Sequence, residues 1–348
     1  MELPFELRDA LEQQLQDVKF EQMVRDSQNI SLRYRTQSGR GERLLTSDNE
    51  ALSYAASRMP ATYGAIRTAL EKTFEKVDCR LRTMLDVGAG TGAASWAAAD
   101  LLDLDSISCL ERERAMRSLG IRLMENGSQV LREAEWIEYD LETDDIPKRA
   151  DLVIAAYVLN EMTGEARKRA VQKLWDAAGM ILLLVEPGTP AGFTNLNEIR
   201  RMLLDQGAVI AAPCPHSADC PKGADDWCHF TCRVARSRLH RQLKGGDAPY
   251  EDEKFSYLAF VREALSHEGY STEAFSHEAC SRETYAPDVC ERGAYISDGM
   301  RILRHPQVRG GHVMLEVCTK DGIKVITLSK KDGERYKKAR KAASGDEL

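Results

Sequence analysis

The apolar residues of the chain follow two different periodicities. In residues 5–76 they recur three and four positions apart, as in "ATYGAIRTALEKTFEKV", and that spacing predicts amphipathic helices. From Leu81 onward, short continuous apolar runs such as "RTMLDVGAG" and "DLVIAAYVL" alternate with helical stretches. Runs of this length are typical of strands buried on both faces, and the spacers suit crossover helices. The pattern therefore predicts a doubly wound α/β sheet behind an N-terminal helical layer.

The later part of the chain adds one more strand and a hairpin. The run "EKFSYLAFVRE" predicts a last strand of the sheet, separated from "AVIAAPCP" by a cysteine-rich segment. Beyond about residue 300, two alternating runs flank Asp321-Gly322 and predict a β-hairpin, which a basic helix follows. The expected division is a helical region at 1–80, a sheet domain at 81–265 with a metal-binding insertion at 212–250, and a C-terminal region at 266–348 with the hairpin and a basic tail.

Composition narrows the class of protein. The chain has 348 residues, 43% of them apolar and 30% charged, which describes a soluble protein with material for two domains. No apolar run approaches the roughly 18 residues of a membrane span, and the first residues are acidic where a signal peptide would be basic. We therefore expect a cytoplasmic protein without a membrane partner. Nine cysteines in a reducing compartment favour a metal site over a disulfide framework, and the lack of a C-x-x-C pair disfavours a redox sensor.

A glycine-rich loop follows the first predicted strand. The run "LDVGAGTGAASWAAA" places Asp86 at the strand tip, glycines at 88, 90 and 92, and a helix-forming segment behind them. Glycines allow a tight turn and close approach of a ligand, and the helix start offers unpaired N–H groups. Glu111 ends the second strand, where a carboxylate can hold ribose hydroxyls. The alternatives are a dinucleotide site and a plain strand-to-helix turn.

This combination resembles the class I S-adenosylmethionine-dependent methyltransferases, which have a Rossmann-like sheet. The resemblance implies a cofactor site made by Asp86, Gly88, Ala89, Gly90, Gly92 and Glu111, with Asp140 near the adenine. The fourth strand continues into "AAYVLNEM" instead of the Asn/Asp-Pro-Pro-aromatic box of amino methyltransferases. Asn160 and Glu161 are therefore only candidate catalytic residues, and capping of the next helix is the alternative.

Cysteines concentrate in the segment before the last strand of the sheet. Cys214, Cys220 and Cys228 lie among prolines on a stretch too irregular for a helix or strand. A loop can aim several sulfurs at one point and so bind a metal or a cluster. The spacing differs from the short C-x2-C pair of zinc ribbons, so it does not name the metal. Further candidate ligands, which are alternatively packed or capping residues, are Cys232, His216 and His229.

The stretches "CPHSADCP", "DWCHFTCRVAR", "EDEKFSYLAF", "RMPATYGAI" and "LDVGAGTG" together resemble the mitochondrial small-ribosomal-subunit methyltransferase-like assembly factors and their bacterial relatives. The resemblance covers roughly residues 50–341. It implies a [4Fe–4S] cluster on Cys214, Cys220, Cys228 and a late-strand cysteine, which Cys318 matches, with zinc as the alternative metal. It also implies that the partner is the small ribosomal subunit and its RNA.

Charge is uneven along the chain. The net charge of −7 argues against a general nucleic-acid binder, and no DNA partner is expected. A basic run nevertheless follows the cysteines and a second one ends the chain, and each is either an RNA contact or a solvated helix face. The candidate RNA contacts are Arg233, Arg236, Arg238, Arg241 and Lys244. Two functions remain open: a methyltransferase acting on the small subunit, and a non-catalytic RNA-binding assembly factor with a structural or regulatory cofactor site.

Overall fold

A computed structural model describes residues 1–16, 18–37, 45, 47–223, 225–262 and 299–348 of the chain. The helices are α1 (Phe5–Leu15), α2 (Phe20–Gln37), α3 (Asp48–Ser57), α4 (Met59–Phe74), α5 (Ala93–Ala99), α6 (Arg114–Met124), α7 (Gln129–Arg132), α8 (Gly164–Ala177), α9 (Pro190–Leu204), α10 (Arg238–Lys244) and α11 (Gly333–Lys341). The strands are β1 (Thr83–Val87), β2 (Ser106–Glu111), β3 (Glu135–Glu138), β4 (Ala150–Ala156), β5 (Ala178–Pro187), β6 (Ala208–Ala212), β7 (Phe230–Ala235), β8 (Tyr250–Arg262), β9 (Arg301–Ile302), β10 (Gln307–Arg309), β11 (His312–Thr319) and β12 (Gly322–Ser329).

The main sheet has the strand order β3-β2-β1-β4-β5-β8-β6, and β7 pairs with the first half of β8. Strands β1 to β5 pair in parallel, whereas β8 runs antiparallel to both β5 and β6. An otherwise parallel sheet with one reversed strand inserted near its edge is the class I methyltransferase arrangement. The predicted fold is therefore confirmed.

The strands are buried on both faces, as their apolar runs predict. In β4, Leu152 and Ile154 face the layer of the N-terminal helices and α5, while Val153 and Ala155 face α8 and α9. All four side chains are fully buried. Because burial of a Leu, Ile or Val side chain contributes about 1.5–3 kcal/mol, this two-sided packing fixes the register of the central strands.

The insertion at 212–250 contains a strand that the sequence analysis did not predict. Residues of β7 alternate between buried and exposed. The strand pairs antiparallel with residues 250–255 of β8. The helix α10 begins only at Arg238, where the Ser237 hydroxyl accepts a hydrogen bond from the His240 amide at 3.1 Å. The basic run after the cysteines is thus half strand and half helix.

The C-terminal region carries a second, four-stranded sheet. Strands β11 and β12 form the predicted hairpin, with Thr319 paired to Gly322 across the turn, and β9 and β10 both pair with β11. Helix α11 packs on this sheet through Tyr336 and Ala339. The expected boundary at residue 266 lies outside the described residues. None of the helices in the described ranges is long and apolar enough to cross a membrane.

Candidate functional site

A cavity of about 880 Å³ opens at the carboxyl ends of the parallel strands. In open α/β sheets this edge is where ligands bind, because the loops that leave the strands diverge there. Several residues proposed from the sequence line the cavity together: Gly88 and Gly90 of the glycine loop, Glu111, Asp140, Asn160 and Glu161. Residues far apart in the sequence therefore meet at one site.

The carboxylate of Glu111 is held by backbone amides. Its Oε2 accepts a hydrogen bond from the Gly90 amide at 2.7 Å, and its Oε1 accepts one from the Glu113 amide at 2.7 Å. Burial raises the pKa of Glu111, and these two amides lower it in part. Gly90 has φ +57°, a left-handed conformation that side chains rarely adopt. The loop thus brings bare backbone and an oriented carboxylate to the cavity.

Asp86 lies behind the loop and does not line the large cavity. Its carboxylate accepts hydrogen bonds from the Ser95 amide at 3.0 Å and the Ser95 hydroxyl at 2.8 Å. Burial raises the pKa of Asp86 to about 6. Ala89 and Gly92 also lie outside the lining, and the Gly92 amide donates to Ala89 O at 2.7 Å. These three residues shape the loop and the start of α5.

The segment after β4 presents Asn160 and Glu161 from a short 3-10 turn, Leu159–Glu161. The fully buried Glu186 at the end of β5 fixes this turn, because its Oε1 accepts a hydrogen bond from the Leu159 amide at 3.1 Å. Burial raises the pKa of Glu161 to about 8, with added repulsion from Glu111, and raises that of Glu186 to about 8. A carboxyl that stays protonated at neutral pH donates a hydrogen bond and is a poor base.

The opposite wall of the cavity contains residues that the sequence analysis missed. They are Tyr54, Arg58 and Thr62 from the α3–α4 region and Tyr157 from the end of β4. Arg58 and Thr62 belong to "RMPATYGAI", a stretch that was singled out only as part of the family resemblance. No local pattern marks Tyr157, whose importance depends on its backbone conformation.

The cysteines meet at a second, smaller cavity of about 50 Å³ between the main sheet and the C-terminal sheet. Cys214, Cys220, Cys228 and Cys318 all line it. Burial, together with the nearby Cys214 and Cys220, raises the pKa of Cys318 to about 12. The thiols are therefore close enough to repel one another when ionised. Among the described ranges, no group of three or more His, Cys, Asp and Glu side chains is arranged as a metal-ion site.

Buried cations surround the thiols. Arg200 and Arg301 line the cavity at 2% and 3% exposure, and Lys222 lines it with its side chain 4% exposed. Arg301 Nε donates to Pro213 O at 2.8 Å, and Arg200 Nη2 donates to His216 O at 3.2 Å. The Nε and Nη1 groups of Arg200 have no hydrogen-bond partner among the described residues.

Ion pairs join the cysteine loop to the C-terminal sheet. Lys222 Nζ lies 3.2 Å from Glu316 Oε1, and Arg304 lies 3.0 Å from Asp226 and 3.1 Å from Glu316. Glu316 is two residues before Cys318 on β11, so these contacts hold Cys318 against the loop.

The other candidate ligands are placed differently. His216 lines the cavity, with Nε2 at 3.5 Å from Cys318 Sγ. His229 does not line it and stacks on Trp227, with ring centroids 5.5 Å apart. Cys232 lies on β7 and packs in the core beneath α4, where a Cβ on Gly64 would be 3.3 Å from its sulfur. Cys232 is therefore placed away from the thiols that line the cavity.

The basic run after the cysteines is largely paired with acidic residues of β8. Arg233 makes two hydrogen bonds to Asp252, at 2.7 and 2.9 Å, and lies over the Tyr250 ring. Arg236 and Lys244 both contact Glu251, at 2.8 and 2.7 Å. Within the described part of the chain, Arg238 and Arg241 make no ion pair, and Arg238 is exposed.

The sheet order, with the glycine loop after β1 and an acidic residue ending β2, defines a class I methyltransferase-fold protein. The chain belongs to the family described as "Mitochondrial small ribosomal subunit Rsm22", whose model matches residues 48–348. The N-terminal residues before 48 lie outside the match.

Two curated relatives are similar over much of the chain. The human mitochondrial ribosome assembly protein METTL17 is 28% identical over 227 residues, covering 61% of this chain and 49% of its own length. The mitochondrial Rsm22-cox11 tandem protein 2 of Schizosaccharomyces pombe is 24% identical over 333 residues, covering 86% of this chain and 43% of its own length. The chain thus spans about half the length of these relatives or less.

Solved methyltransferase structures also match at low similarity. Magnesium protoporphyrin IX methyltransferase from Synechocystis PCC 6803 is 17% identical, with a TM-score of 0.38, over 71% of this chain and 99% of that chain. The N-methyltransferase NodS from Bradyrhizobium japonicum is 10% identical, with a TM-score of 0.38, over 57% of this chain and 85% of that chain. The fold assignment depends on the sheet order and not on these superpositions.

The prediction of a cytoplasmic location is wrong. The family description and the curated relatives name mitochondrial proteins. The prediction was based on an acidic N-terminal sequence, and such a local feature does not determine the compartment.

Proposed function

We propose that the protein binds S-adenosylmethionine in the large cavity and acts on the small ribosomal subunit of mitochondria as a methyltransferase. The observation that carries the proposal is the Glu111 carboxylate, which two amides orient at the cavity edge beside the glycine loop. The ribosomal partner is inferred from the family and from METTL17, whose names refer to the mitochondrial small ribosomal subunit and to ribosome assembly.

The residues around the cavity fit the cofactor. Glu111 is placed to accept hydrogen bonds from ribose hydroxyls, and the absence of side chains at Gly88 and Gly90 permits close approach of the ligand. Asp140 lies 3.6 Å from Arg112, at the position proposed for adenine contact. The bound cofactor would supply an electrophilic methyl group. Asn160 and Glu161 would face the acceptor, with protonated Glu161 as a hydrogen-bond donor.

A non-catalytic assembly factor is the second candidate function. The specific observation in its favour is the chemistry after β4, where a protonated Glu161 replaces the polar box of amino methyltransferases. Such a protein would use the cofactor to stabilise one conformation of the cavity walls. Both candidates need the same cofactor and the same ribosomal partner, so methyl transfer itself separates them.

We infer that the thiol cavity holds a [4Fe–4S] cluster through Cys214, Cys220, Cys228 and Cys318, with zinc as the alternative. Three observations support a negatively charged group there: the four thiols, the buried cations and the unpartnered Arg200 donors. A cluster bound by four thiolates is anionic, and buried cations offset the cost of that charge. A bound cluster would link the cysteine loop to β11.

RNA contact is proposed for the basic run beside the thiol cavity. Arg238 and Arg241 would contact phosphates directly, because no ion pair with a described residue occupies them. Arg233, Arg236 and Lys244 would add positive potential, although their partners on β8 reduce it. Phosphate contacts of this kind make binding depend on salt concentration.

The test is to incubate purified protein, radiolabelled S-adenosylmethionine and small subunits that lack the protein, and to measure cofactor binding in parallel by calorimetry. Label in rRNA or in a ribosomal protein supports the methyltransferase. Cofactor and subunit binding without label support the assembly factor. Absence of cofactor binding by wild-type protein contradicts both forms of the proposal.

A further inference from the structure

We propose that Arg58, flanked by Tyr54 and Tyr157, forms an anion-binding subsite in the large cavity. The inference rests on the proposed function, since it concerns the same cavity. Two anionic groups can reach this wall: the carboxylate of the cofactor's amino-acid part and the phosphate of an acceptor nucleotide. Both offer the paired oxygens that a guanidinium recognises.

The position of the subsite makes it part of the ligand site. Arg58 lies between α3 and α4, and Tyr157 lies at the carboxyl end of β4, yet both line the cavity that contains Gly90 and Glu111. A volume of about 880 Å³ is at the upper end of the ordinary range for ligand pockets, roughly 300–1,000 Å³. The Arg58 wall therefore lies within reach of a ligand held by the glycine loop.

The Arg58 guanidinium has no directly paired carboxylate among the described residues. Its side chain is exposed to the cavity, and it makes no hydrogen bond or ion pair within 4 Å with a described residue. Elsewhere on α4, the Arg67 guanidinium pairs with Glu71 at 3.0 Å. A guanidinium loses hydration in a cavity and gains most from an oxygen pair that replaces the lost water. The free guanidinium therefore points to an anionic ligand.

The carboxylate with the largest electrostatic effect on Arg58 is also bound by a tyrosine hydroxyl. Glu253 on β8 attracts Arg58 electrostatically, but its Oε1 accepts a hydrogen bond from the Tyr157 hydroxyl at 3.2 Å. Burial raises the pKa of Glu253, and the charge of Arg58 and the Tyr157 hydrogen bond lower it in part. Tyr157 thus helps to keep the guanidinium available for a ligand.

Tyr157 is held in a strained conformation. It has φ +60° and is the only residue other than glycine with positive φ in the described part of the chain. Such a backbone persists only where surrounding contacts impose it, and such strain clusters at functional sites. Here the contacts are the hydroxyl bond to Glu253 and the Tyr157 amide, which donates to Val185 O at 2.7 Å. The ring is thereby fixed at the cavity wall beside Arg58.

The positive charge of the subsite also favours one chemical class of methyl acceptor over another. A lysine or arginine side chain approaching the methyl group would meet the positive charge of Arg58, whereas a nucleotide brings a phosphate to it and a base to the two tyrosine rings. An RNA acceptor is therefore favoured over a basic side chain of a ribosomal protein.

The experiment compares wild type with Arg58→Gln, using Arg67→Gln as the matched control on α4 and equal melting temperatures as the check on folding. Calorimetry measures the affinity for S-adenosylhomocysteine and for 5′-methylthioadenosine, which lacks the amino-acid carboxylate. A second set of titrations, carried out with S-adenosylhomocysteine at a saturating concentration, measures the affinities for nucleoside 5′-monophosphates and for the matching nucleosides. A charge-assisted contact changes affinity by about 10- to 100-fold.

If Arg58 binds the cofactor carboxylate, Arg58→Gln lowers the affinity for S-adenosylhomocysteine by that factor and leaves the affinity for 5′-methylthioadenosine unchanged. If Arg58 binds an acceptor phosphate, the variant lowers only the affinity for the monophosphates. Equal affinities of wild type and Arg58→Gln for every probe overturn the subsite, as does an equal loss in Arg67→Gln. Failure of wild-type protein to bind either adenosine compound instead contradicts the proposed function.

Discussion

The Gly90 amide donates a hydrogen bond to Glu111 Oε2 over 2.7 Å and joins the loop after β1 to the end of β2. The Glu113 amide holds the other oxygen at 2.7 Å, so the plane of the carboxylate is fixed by backbone alone. A group held in its bound orientation loses little freedom when a ligand arrives, which favours binding. This relationship is what distinguishes the loop from a plain turn.

Replacement of Glu111 by Gln tests the role of this carboxylate. Gln keeps the size of the side chain but loses the charge, and one of its two oxygen positions becomes an amide that meets a backbone N–H. We expect S-adenosylhomocysteine to bind at least about 10-fold more weakly in calorimetry. Glu165→Gln, at an exposed position on α8, is the control and should bind as wild type does. Unchanged affinity in Glu111→Gln would contradict the cofactor assignment.

Replacement of single cysteines tests the metal site. After anaerobic purification, Cys318→Ser should lose the brown chromophore and the bound iron and sulfide, because Cys318 lines the thiol cavity. Cys232→Ser should retain them, since Cys232 packs beneath α4. If wild-type protein contains zinc and no sulfide, the cavity is a zinc site and not an iron–sulfur site. Full iron and sulfide in Cys318→Ser would remove this residue from the ligand set.

Replacement of Arg238 and Arg241 by Gln tests the RNA surface. Each phosphate contact contributes about 0.9 to the slope of log affinity against log salt, so the double variant should flatten the slope for small-subunit binding by about two. Arg169→Gln, an exposed arginine on α8, should leave the slope unchanged. Salt titration of the three proteins on purified subunits measures the effect. Identical slopes would exclude Arg238 and Arg241 from the contact.

The buried Glu186 predicts how stability depends on pH. Its pKa is about 8 in the folded protein against an ordinary value of 4.5, so between these values the folded state keeps a proton that the unfolded state releases. The free energy of unfolding should therefore fall as pH rises through this interval. Glu186→Gln should make that fall shallower, by up to about 1.4 kcal/mol per pH unit.

Chemical denaturation at several pH values between 5 and 8 measures this slope for Glu186→Gln. The control is Glu165→Gln, because Lys168 lowers the pKa of Glu165 and moves its titration away from the interval. The control should show the wild-type slope. An equally steep fall in Glu186→Gln would show that other groups cause the pH dependence.

The sheet was predictable because the apolar composition of each strand indicates that the strand is buried. Leu152, Val153 and Ile154 are apolar in succession, and such a run is typical of a strand covered on both faces. The glycine loop and Glu111 were recognisable for a related reason, since their spacing is fixed by one strand-helix-strand unit.

The ionic surroundings of both cavities were not predictable in the same way. Arg200 and Arg301 approach the thiols from α9 and β9, and the register that brings them there depends on the whole tertiary structure. Strand β7 was missed because its alternation, with Arg233 exposed and Val234 buried, was interpreted as a basic helical run. The acidic Glu251 and Asp252 of β8 engage three of the predicted RNA contacts within the protein, namely Arg233, Arg236 and Lys244.

The residues that line the thiol cavity come from two parts of the chain that are synthesised at different times. Cys214, Cys220 and Cys228 lie before β8, but Cys318 and Ile323 belong to the C-terminal hairpin, so the cavity is closed by the part of the chain made later. At synthesis rates of about 5–20 residues per second, about 5–20 seconds separate the first three thiols from the fourth. During that interval the nascent chain presents three cysteines without their cover. The metal or cluster proposed for this cavity would therefore meet a fully walled site only after translation of the hairpin.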